Sequence, residues 1–458
     1  MGDSGATQGS PAPTVLIIAP DRYLIRACQR LDVGAVIIYG QGIADAGVAK
    51  IPEGMTGIFV DDQKDAASVL AALARHGLAD FPFAAVVSAN EYAIPLAGLL
   101  AGHFRCGGLP ARVAVGFRDK SVQKTLVRAA GVPVADFVVI EDIHEFDRLP
   151  ALPASPMVLK PVAGVGTRLT MMIRDSAELE AAARRIAAKT ELRTFLLEQF
   201  IPNDEWIVDG VVRDGELLFY SMGYYPEPCL AVVEKQASMT YCRFDPVADK
   251  DVFEEAGPLA RRAIAALGMT DGVFHMELFR QKDGGPLMFG ECAARRGAAM
   301  IFEEVLWKFN VDLAEETLRA ALGWPPGLDV RIRPGLIGTT NVNAPPGVLL
   351  SIPSVAEIKK QPGVVYARVE MPVGAMIADQ IPDAASRLSE VLVTADDRDQ
   401  LQQRFADVRA WFLDQLVVVP PRATHRTLRA WQRRTWPSSQ VGDEQLFEPD
   451  GLDAEEDV

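Results

Sequence analysis

The residues best suited to chemistry lie between Gly272 and Gly297, in the stretch GVFHMELFRQKDGGPLMFGECAARRG. Two apolar and aromatic runs, Val273 to Gln281 and Pro286 to Ala294, flank a Lys-Asp-Gly-Gly turn, which predicts an antiparallel hairpin. With Asp283-Gly284-Gly285 as the loop, Glu277 faces Glu291, and alternation puts His275, Phe279, Phe289, Ala293 and Arg295 on the same face. Like charges directly opposite each other destabilise a sheet unless something cationic lies between them. A divalent metal would resolve the conflict, and Mg²⁺ in particular takes a few carboxylates together with phosphate oxygens and water. On this stretch alone, a solvated hairpin shifted by one residue is the competing reading.

Three other stretches offer groups for an anion. Asp119 is placed to cap a helix from Lys120 to Ala130, stopped by Gly131 and Pro133, which leaves Lys120 at a helix start where the dipole disfavours a cation. A solvated helix end is the plainer reading of that lysine by itself. In PMVLKPVAGVGTRLTMMI, Lys160 ends an apolar run, and Gly164 and Gly166 open a loop whose backbone N–H groups can approach a phosphate. The loop is neither a P-loop nor a dinucleotide turn, because Leu169 to Ile173 reads as strand where those motifs need a helix. Phe195 to Ile201 is a strand leading into Pro202-Asn203-Asp204-Glu205, and a hairpin of Trp206–Val212 and Leu217–Met222 follows around Asp214-Gly215.

The elements that must position these groups read in order. Val15 to Ile18, a helix from Tyr23 to Leu31 and Ala35 to Tyr39 alternate as in a parallel α/β sheet, continued by a helix (Ala66 to His76), a strand (Ala84 to Ser88) and a helix (Tyr92 to Ala101). The first turn, Ala19-Pro20-Asp21-Arg22, has no glycine, so the dinucleotide fingerprint is absent. A strand from Val134 to Ile140 and an amphipathic helix from Ser176 to Thr190 flank the glycine loop. Tyr224 to Arg243 lacks a clear period and reads as a loop over a site, and Glu254 to Leu267 reads as a helix ending at Gly268. Ile301 to Leu322 reads as one helical stretch, Arg331 to Arg368 as short strands, Ala384 to Thr394 as containing a strand and Asp396 to Leu416 as a terminal helix.

The 458 residues, 49% of them hydrophobic, suffice for two to four domains. No apolar run is long enough to span a bilayer, and the start, MGDSGATQGSPAP, has no export signal. The five cysteines form no C-x-x-C pair and suit reduced thiols, so the expected compartment is the cytoplasm and no membrane is involved. A net charge of -15 argues against nucleic acid, although eight acids between Asp443 and Val458 supply more than half of it. Upstream of that tail, five arginines and two tryptophans follow Pro420-Pro421, as on a basic surface helix.

Taken in order and spacing, Lys120, Lys160, the Gly164/Gly166 loop, the 198 to 205 segment and the Glu277/Glu291 hairpin resemble the ATP-grasp superfamily, nearest to the L-amino acid ligases. The resemblance runs over roughly residues 14 to 419 and includes VYARVEMPVGAMI and RLSEVLVTADD. It implies an α/β ATP-grasp fold: a disordered start (1–13), an N-terminal parallel α/β domain (14–115), a central lid domain (116–200), a C-terminal antiparallel-sheet domain (201–419) and a basic then acidic tail (420–458). It also implies roles. Lys120 and Lys160 would grip ATP phosphates beneath a loop containing Gly164, Gly166 and Thr167; Glu198, Gln199, Phe200 and Ile201 would read adenine, and Glu205 would hold the ribose. Glu277 and Glu291 would bind Mg²⁺, normally two ions with Mn²⁺ as a substitute, Arg295 would steady the acyl phosphate, and His275 and Arg296 are weaker candidates for touching substrate.

The implied activity is ATP-dependent joining of a carboxylic acid, expected to be an amino acid, to an amine, through an acyl phosphate and with release of ADP and phosphate. Transfer to a carrier-protein thiol, with the Arg-Trp segment as docking surface, is one alternative. The family usually has asparagine where this chain has Ala293, which motivates another, an ATP-binding protein without catalysis. A homodimer is the expected assembly.

Overall fold

The computed structural model describes residues 12–40, 51–152, 156–378 and 387–419; the expectations for the first residues and for the tail from 420 onward fall outside them. The chain divides into two compact units, Met1–Ala114 with Ala314–Gly327, and Val115–Leu313 with Leu328–Val458.

In the first unit, β1 (Thr14–Ile18), β2 (Gly34–Tyr39), β3 (Thr56–Phe59) and β4 (Ala85–Val87) form a parallel sheet in the order β3-β2-β1-β4. The unbroken apolar run of β1 is what a strand covered on both faces requires. Helices α1 (Arg22–Arg30), α2 (Ala66–Arg75) and α3 (Ile94–Phe104) cross between the strands. Asp21 starts α1 by accepting from the Tyr23 and Leu24 amides at 2.9 and 3.1 Å. Strand β3 was not anticipated from the sequence: only Ile58 of its four residues is buried, as befits an edge strand with little hydrophobic pattern. The helix Leu313–Ala321 belongs largely to this unit, and Gly107 admits it, since a Cβ there would sit 1.9 Å from the Ala321 carbonyl oxygen.

The second unit begins with α4 (Lys120–Ala129), capped by Asp119 as expected. An antiparallel sheet follows, in the order β5-β8-β6-β7, of β5 (Phe137–Ile140), β6 (Met157–Pro161), β7 (Met171–Ile173) and β8 (Phe195–Gln199). It is covered by α5 (Ser176–Ala187), whose N-cap is Asp175. The larger sheet takes β9 (Asn203–Arg213), β10 (Glu216–Tyr225), β11 (Thr240–Arg243), β12 (Gly272–Gln281), β13 (Met288–Ala293), β14 (Leu336–Val342), β16 (Val364–Val369) and β18 (Ser389–Ala395), in the order β13-β12-β9-β10-β11-β14-β18-β16. Beside it β15 (Gly347–Ser351) pairs with β17 (Met376–Ile377) and β19 (Val417–Val419).

Between β10 and β11, where a loop was expected, the chain forms the short helix α6 (Cys229–Glu234) before entering β11. Six residues are too few for a helical period to be read. The helical stretch from Ile301 is also shorter than expected: α8 (Ile301–Phe309) ends at Asn310, which adopts φ 58°, a left-handed conformation that asparagine tolerates.

Alternation gives the eight-stranded sheet two unlike faces. One carries Phe274, Met276, Val208, Met222, Cys242 and Val393, covered by α7 (Lys250–Leu267) and α9 (Arg398–Gln415). The other carries the charged rows, and α8 lies over part of it with Glu303 and Glu304 turned inward and fully buried. There Arg243 bridges two acids, reaching Asp209 at 2.8 Å through Nη1 and Glu304 at 2.8 Å through Nε, while the Thr339 hydroxyl donates to Glu304 at 2.8 Å.

One guanidinium cannot fully compensate two buried carboxylates. Burial pushes the Glu304 carboxyl up from 4.5 to about 8, against the pull of Arg243 and Thr339. Because the folded pKa is raised, Glu304 contributes most stability below pH 4.5 and loses that contribution as the pH rises through about 8. We expect the melting temperature of Glu304→Gln to fall less than that of the wild type across this window, measured by thermal denaturation at stepped pH; parallel curves would remove Glu304 as the source.

Candidate active site

The hairpin lies where the sequence places it. His275 pairs with Ala293, Met276 with Cys292 and Glu277 with Glu291, so the two carboxylates are directly opposed. Beyond that pair the register slips by one at Gly290, so that Leu278 pairs with Phe289. Phe289 therefore leaves the face expected for it and is fully buried on the apolar side, where its amide donates to Pro133 at 2.8 Å. A bulge glycine fits here because a Cβ would lie 2.9 Å from the Glu277 carbonyl oxygen and against the Phe279 ring.

Three lysines gather at these acids. Lys120, at the start of α4, reaches Glu291 at 3.1 Å and also donates to the Gly164 carbonyl at 3.1 Å. Lys160, at the end of β6, meets Glu198 of β8 at 2.6 Å, and the other oxygen of Glu198 meets Lys124 at 2.6 Å. Sequence reasoning missed Lys124. Its signal was available, one helical turn after Lys120 on the same face, yet nothing in the sequence says which carboxylate it meets.

Charge explains how each acid behaves. Burial drives the Glu198 carboxyl up, but Lys124 and Lys160 outweigh it and hold the group below its ordinary range. Burial likewise opposes ionisation of Glu291, and Lys120 and Lys160 overcome it, leaving the group at about 2. Glu277 goes the other way: burial, then Glu291, then Glu205 push it well above the carboxylate range. Glu205, opposite Phe279 and Tyr225, is raised by burial while its carboxylate accepts from the Cys229 amide at 3.0 Å. The donor set thus fits a divalent cation, since Glu277 lacks only positive charge to ionise. Among the described residues no three His, Cys, Asp or Glu side chains converge as a metal cage by themselves.

The glycine loop folds back on the start of α4. Arg118 donates to the carbonyls of Ala163 and Gly164, the latter at 3.1 Å. Gly166 adopts φ 60°, and Thr167 and Leu169 are also left-handed, at 64° and 59°. Gly164 has ordinary φ, and a Cβ there would press on the Pro161 ring at 3.3 Å. In the following hinge the Gln199 and Phe200 amides donate to Asp136 and Pro156, and the Ile201 carbonyl accepts from Asn203.

His275 is nearly covered and its Nδ1 lies 2.9 Å from Asp209 Oδ1. Arg295 follows Ala293 by two residues and donates to the Arg296 carbonyl at 2.8 Å; the Arg296 guanidinium donates to the Gly297 carbonyl at 3.1 Å and stacks over Phe302 at 5.3 Å. The structure therefore assembles Lys120, Lys160, Glu198, Glu205, Glu277, Glu291 and His275 around one sheet face. It adds Lys124, Asp209 and Arg243.

Comparison with known proteins agrees with this geometry. Residues 125–298 match the ATP-grasp domain and residues 342–411 match the L-amino acid ligase C-terminal domain 2. An L-arginine-specific L-amino acid ligase from Bacillus subtilis is 26% identical over 355 residues, 76% of this chain and 84% of that protein. Dapdiamide A synthase from Enterobacter agglomerans is 28% identical over 177 residues, 36% of this chain and 40% of that protein. The crystal structure of an L-amino acid ligase from Bacillus licheniformis has the same fold, with a TM-score of 0.71 at 19% identity over 90% of this chain and 99% of that one. No helix among the described residues is long and apolar enough to cross a membrane. With an opposed acid pair beside three lysines, the chain carries an ATP-grasp domain and an L-amino acid ligase C-terminal domain 2, and it is similar to the L-amino acid ligases.

Proposed function

We propose that the protein uses ATP to activate the carboxylate of an amino acid as an acyl phosphate, which an amine, itself an amino acid, then displaces to give an amide, ADP and phosphate. The opposed Glu277 and Glu291, with Lys120 and Lys160 beside them, carry this reading. An amino acid as substrate is supported by the C-terminal domain matched over 342–411 and by the relative named for arginine.

In this reading Lys120 and Lys160 hold the phosphates, beneath the loop of Gly164, Gly166 and Thr167, and Glu198 positions Lys160. Glu198, anchored by Lys124 as well, acts through its lysines, so the adenine falls to the half-buried Gln199, Phe200 and Ile201 and the ribose to Glu205. Glu277 and Glu291 hold Mg²⁺, two ions with Mn²⁺ as a substitute, which when bound neutralises charge on the phosphates. Water can stand in for the amide missing at Ala293. Arg295 lies two residues beyond Ala293 and steadies the oxyanion as the amine attacks. Closing the site over these groups keeps water from the acyl phosphate.

Mass spectrometry of reactions with Mg-ATP and pairs of amino acids tests the reading: ADP with an amide is expected, and AMP with pyrophosphate would overturn it. Glu291→Ala should abolish product. Arg295→Ala should lower kcat by about 10²–10³-fold while ATP still binds; normal turnover in either variant would remove these residues from the site. Lys124→Met should raise the KM for ATP more than it lowers kcat, read from initial rates at varied ATP, whereas an unchanged KM would separate Lys124 from nucleotide binding.

A further inference from the structure

β13 is the last strand of the eight-stranded sheet, so on the side away from β12 its backbone has no strand to bond. Buried N–H and C=O groups need partners, and two segments of the second unit supply them. At one end the Pro133 carbonyl accepts from the Phe289 amide at 2.8 Å, and Val134 bridges Phe289 as a short parallel pair. At the other end the Gln123 side chain of α4 takes both backbone groups of Cys292. Its Nε2 donates to the Cys292 carbonyl at 2.6 Å, and its Oε1 accepts from the Cys292 amide at 2.9 Å. One primary amide thus stands in for a neighbouring strand. A carboxylate at that position could only accept, and a lysine could only donate.

The two attachments bracket Gly290 and Glu291. Gly290 is where the register slips, and a further slip of one residue would turn Glu291 to the opposite face of the sheet. Gln123 grips the strand one residue beyond Glu291, at a pair of side chains that are both nearly covered.

Gln123 also lies between the lysines. Lys120, Gln123 and Lys124 share one face of α4, being three and four residues apart, and each is less than a tenth exposed. From that face Lys120 reaches Glu291 at 3.1 Å and Lys124 reaches Glu198 at 2.6 Å. Those ion pairs alone leave β13 some freedom, because a lysine is a point charge on a flexible stem. The paired bonds of Gln123 hold the strand backbone itself, in position and in direction.

We propose that Gln123 is a positioning residue that sets Glu291 at its place between Glu277 and Lys120, the spacing that a divalent cation and the phosphates use; this rests on the reading of Glu277 and Glu291 as metal ligands. Its action runs through the Cys292 backbone, in the manner of the outer partners that orient metal ligands.

Binding of ADP to the full-length protein, followed by calorimetry over a series of Mg²⁺ concentrations and in EDTA, separates positioning from general damage. Gln123→Met keeps the length of the side chain and removes both hydrogen bonds. We expect the Mg²⁺ concentration that half-maximally enhances ADP binding to rise by about 10–100-fold, with the affinity for ADP in EDTA within about threefold of wild type. In a Glu291→Gln background the positioned carboxylate is gone, so the same substitution should change the Mg²⁺ requirement by less than about twofold. Gln123→Asn withdraws the amide by one methylene and should give the same shift, which keeps the test open where Gln123→Met does not fold. An unchanged Mg²⁺ requirement, an equal loss of ADP affinity with and without Mg²⁺, or an undiminished effect in the Glu291→Gln background would overturn the assignment. A wild type whose ADP binding ignores Mg²⁺ would instead remove the metal reading of Glu277 and Glu291, and this role with it.

Discussion

Two carboxylates opposite each other on neighbouring strands repel, and the second unit is organised around making that repulsion useful. Nothing in the hairpin cancels it. The compensation arrives from elsewhere in the chain, from Lys120 at the start of α4, which packs against β13, and from Lys160 at the end of β6. The result is asymmetric. Glu291 lies beside the lysines and is held low, whereas burial, then Glu291 and Glu205, push the Glu277 carboxyl well above the carboxylate range. A site so balanced calls for added positive charge beside Glu277. That is the electrostatic profile of a place where a metal arrives together with a polyphosphate rather than one built to retain a metal alone.

The same face continues away from the acid pair as a buried network of Asp209, Arg243, Glu304 and Thr339, and farther on as Arg368 between Glu303 at 3.3 Å and Glu390 at 2.5 Å. Buried ion pairs of this kind rarely outdo well-packed apolar residues in stability, because desolvation consumes most of the attraction. Their value lies in direction. Arg243 offers three nitrogens in a fixed plane, so Asp209 and Glu304 can lie only where that plane allows, and His275 inherits its orientation from Asp209. The apolar face beneath, packed by α7 and α9, supplies the stability that the polar face does not, and the period-2 alternation of the strands lets one sheet do both.

How much of this the sequence discloses depends on how local each feature is. The parallel strands of the first unit, the Asp119 cap and the hairpin with its facing acids each carry their signal in a short local pattern, and each reads correctly from it. The bulge at Gly290 does not, because it answers to the close approach of the Glu277 carbonyl; it moves Phe289 to the opposite face without disturbing the acids on the near side. Edge strand β3 and the six-residue α6 are too poor in pattern or too short to register. Lys124, Asp209 and Arg243 went unassigned for another reason. Each looks ordinary in its own segment and acquires meaning from a partner 34 to 74 residues away, at Glu198, His275 or Arg243 itself. The resemblance to a family supplied long-range order for the phosphate and metal residues. It had nothing to say about what holds them.

Ala293 joins these threads. Read along the chain, it is a missing polar group beside the second acid and an argument for weakened metal binding. Read across the sheet, it is the partner of His275, and both residues are nearly covered. A longer side chain at 293 would meet the ring, because directly opposed residues of β12 and β13 are near enough to touch. A small residue at 293 therefore leaves the metal one neutral ligand fewer and lets the imidazole and the hairpin pack closely. The ring's place is set from the other side by Asp209, itself held by Arg243, so the packing at Ala293 is fixed by a buried polar chain that begins at β11.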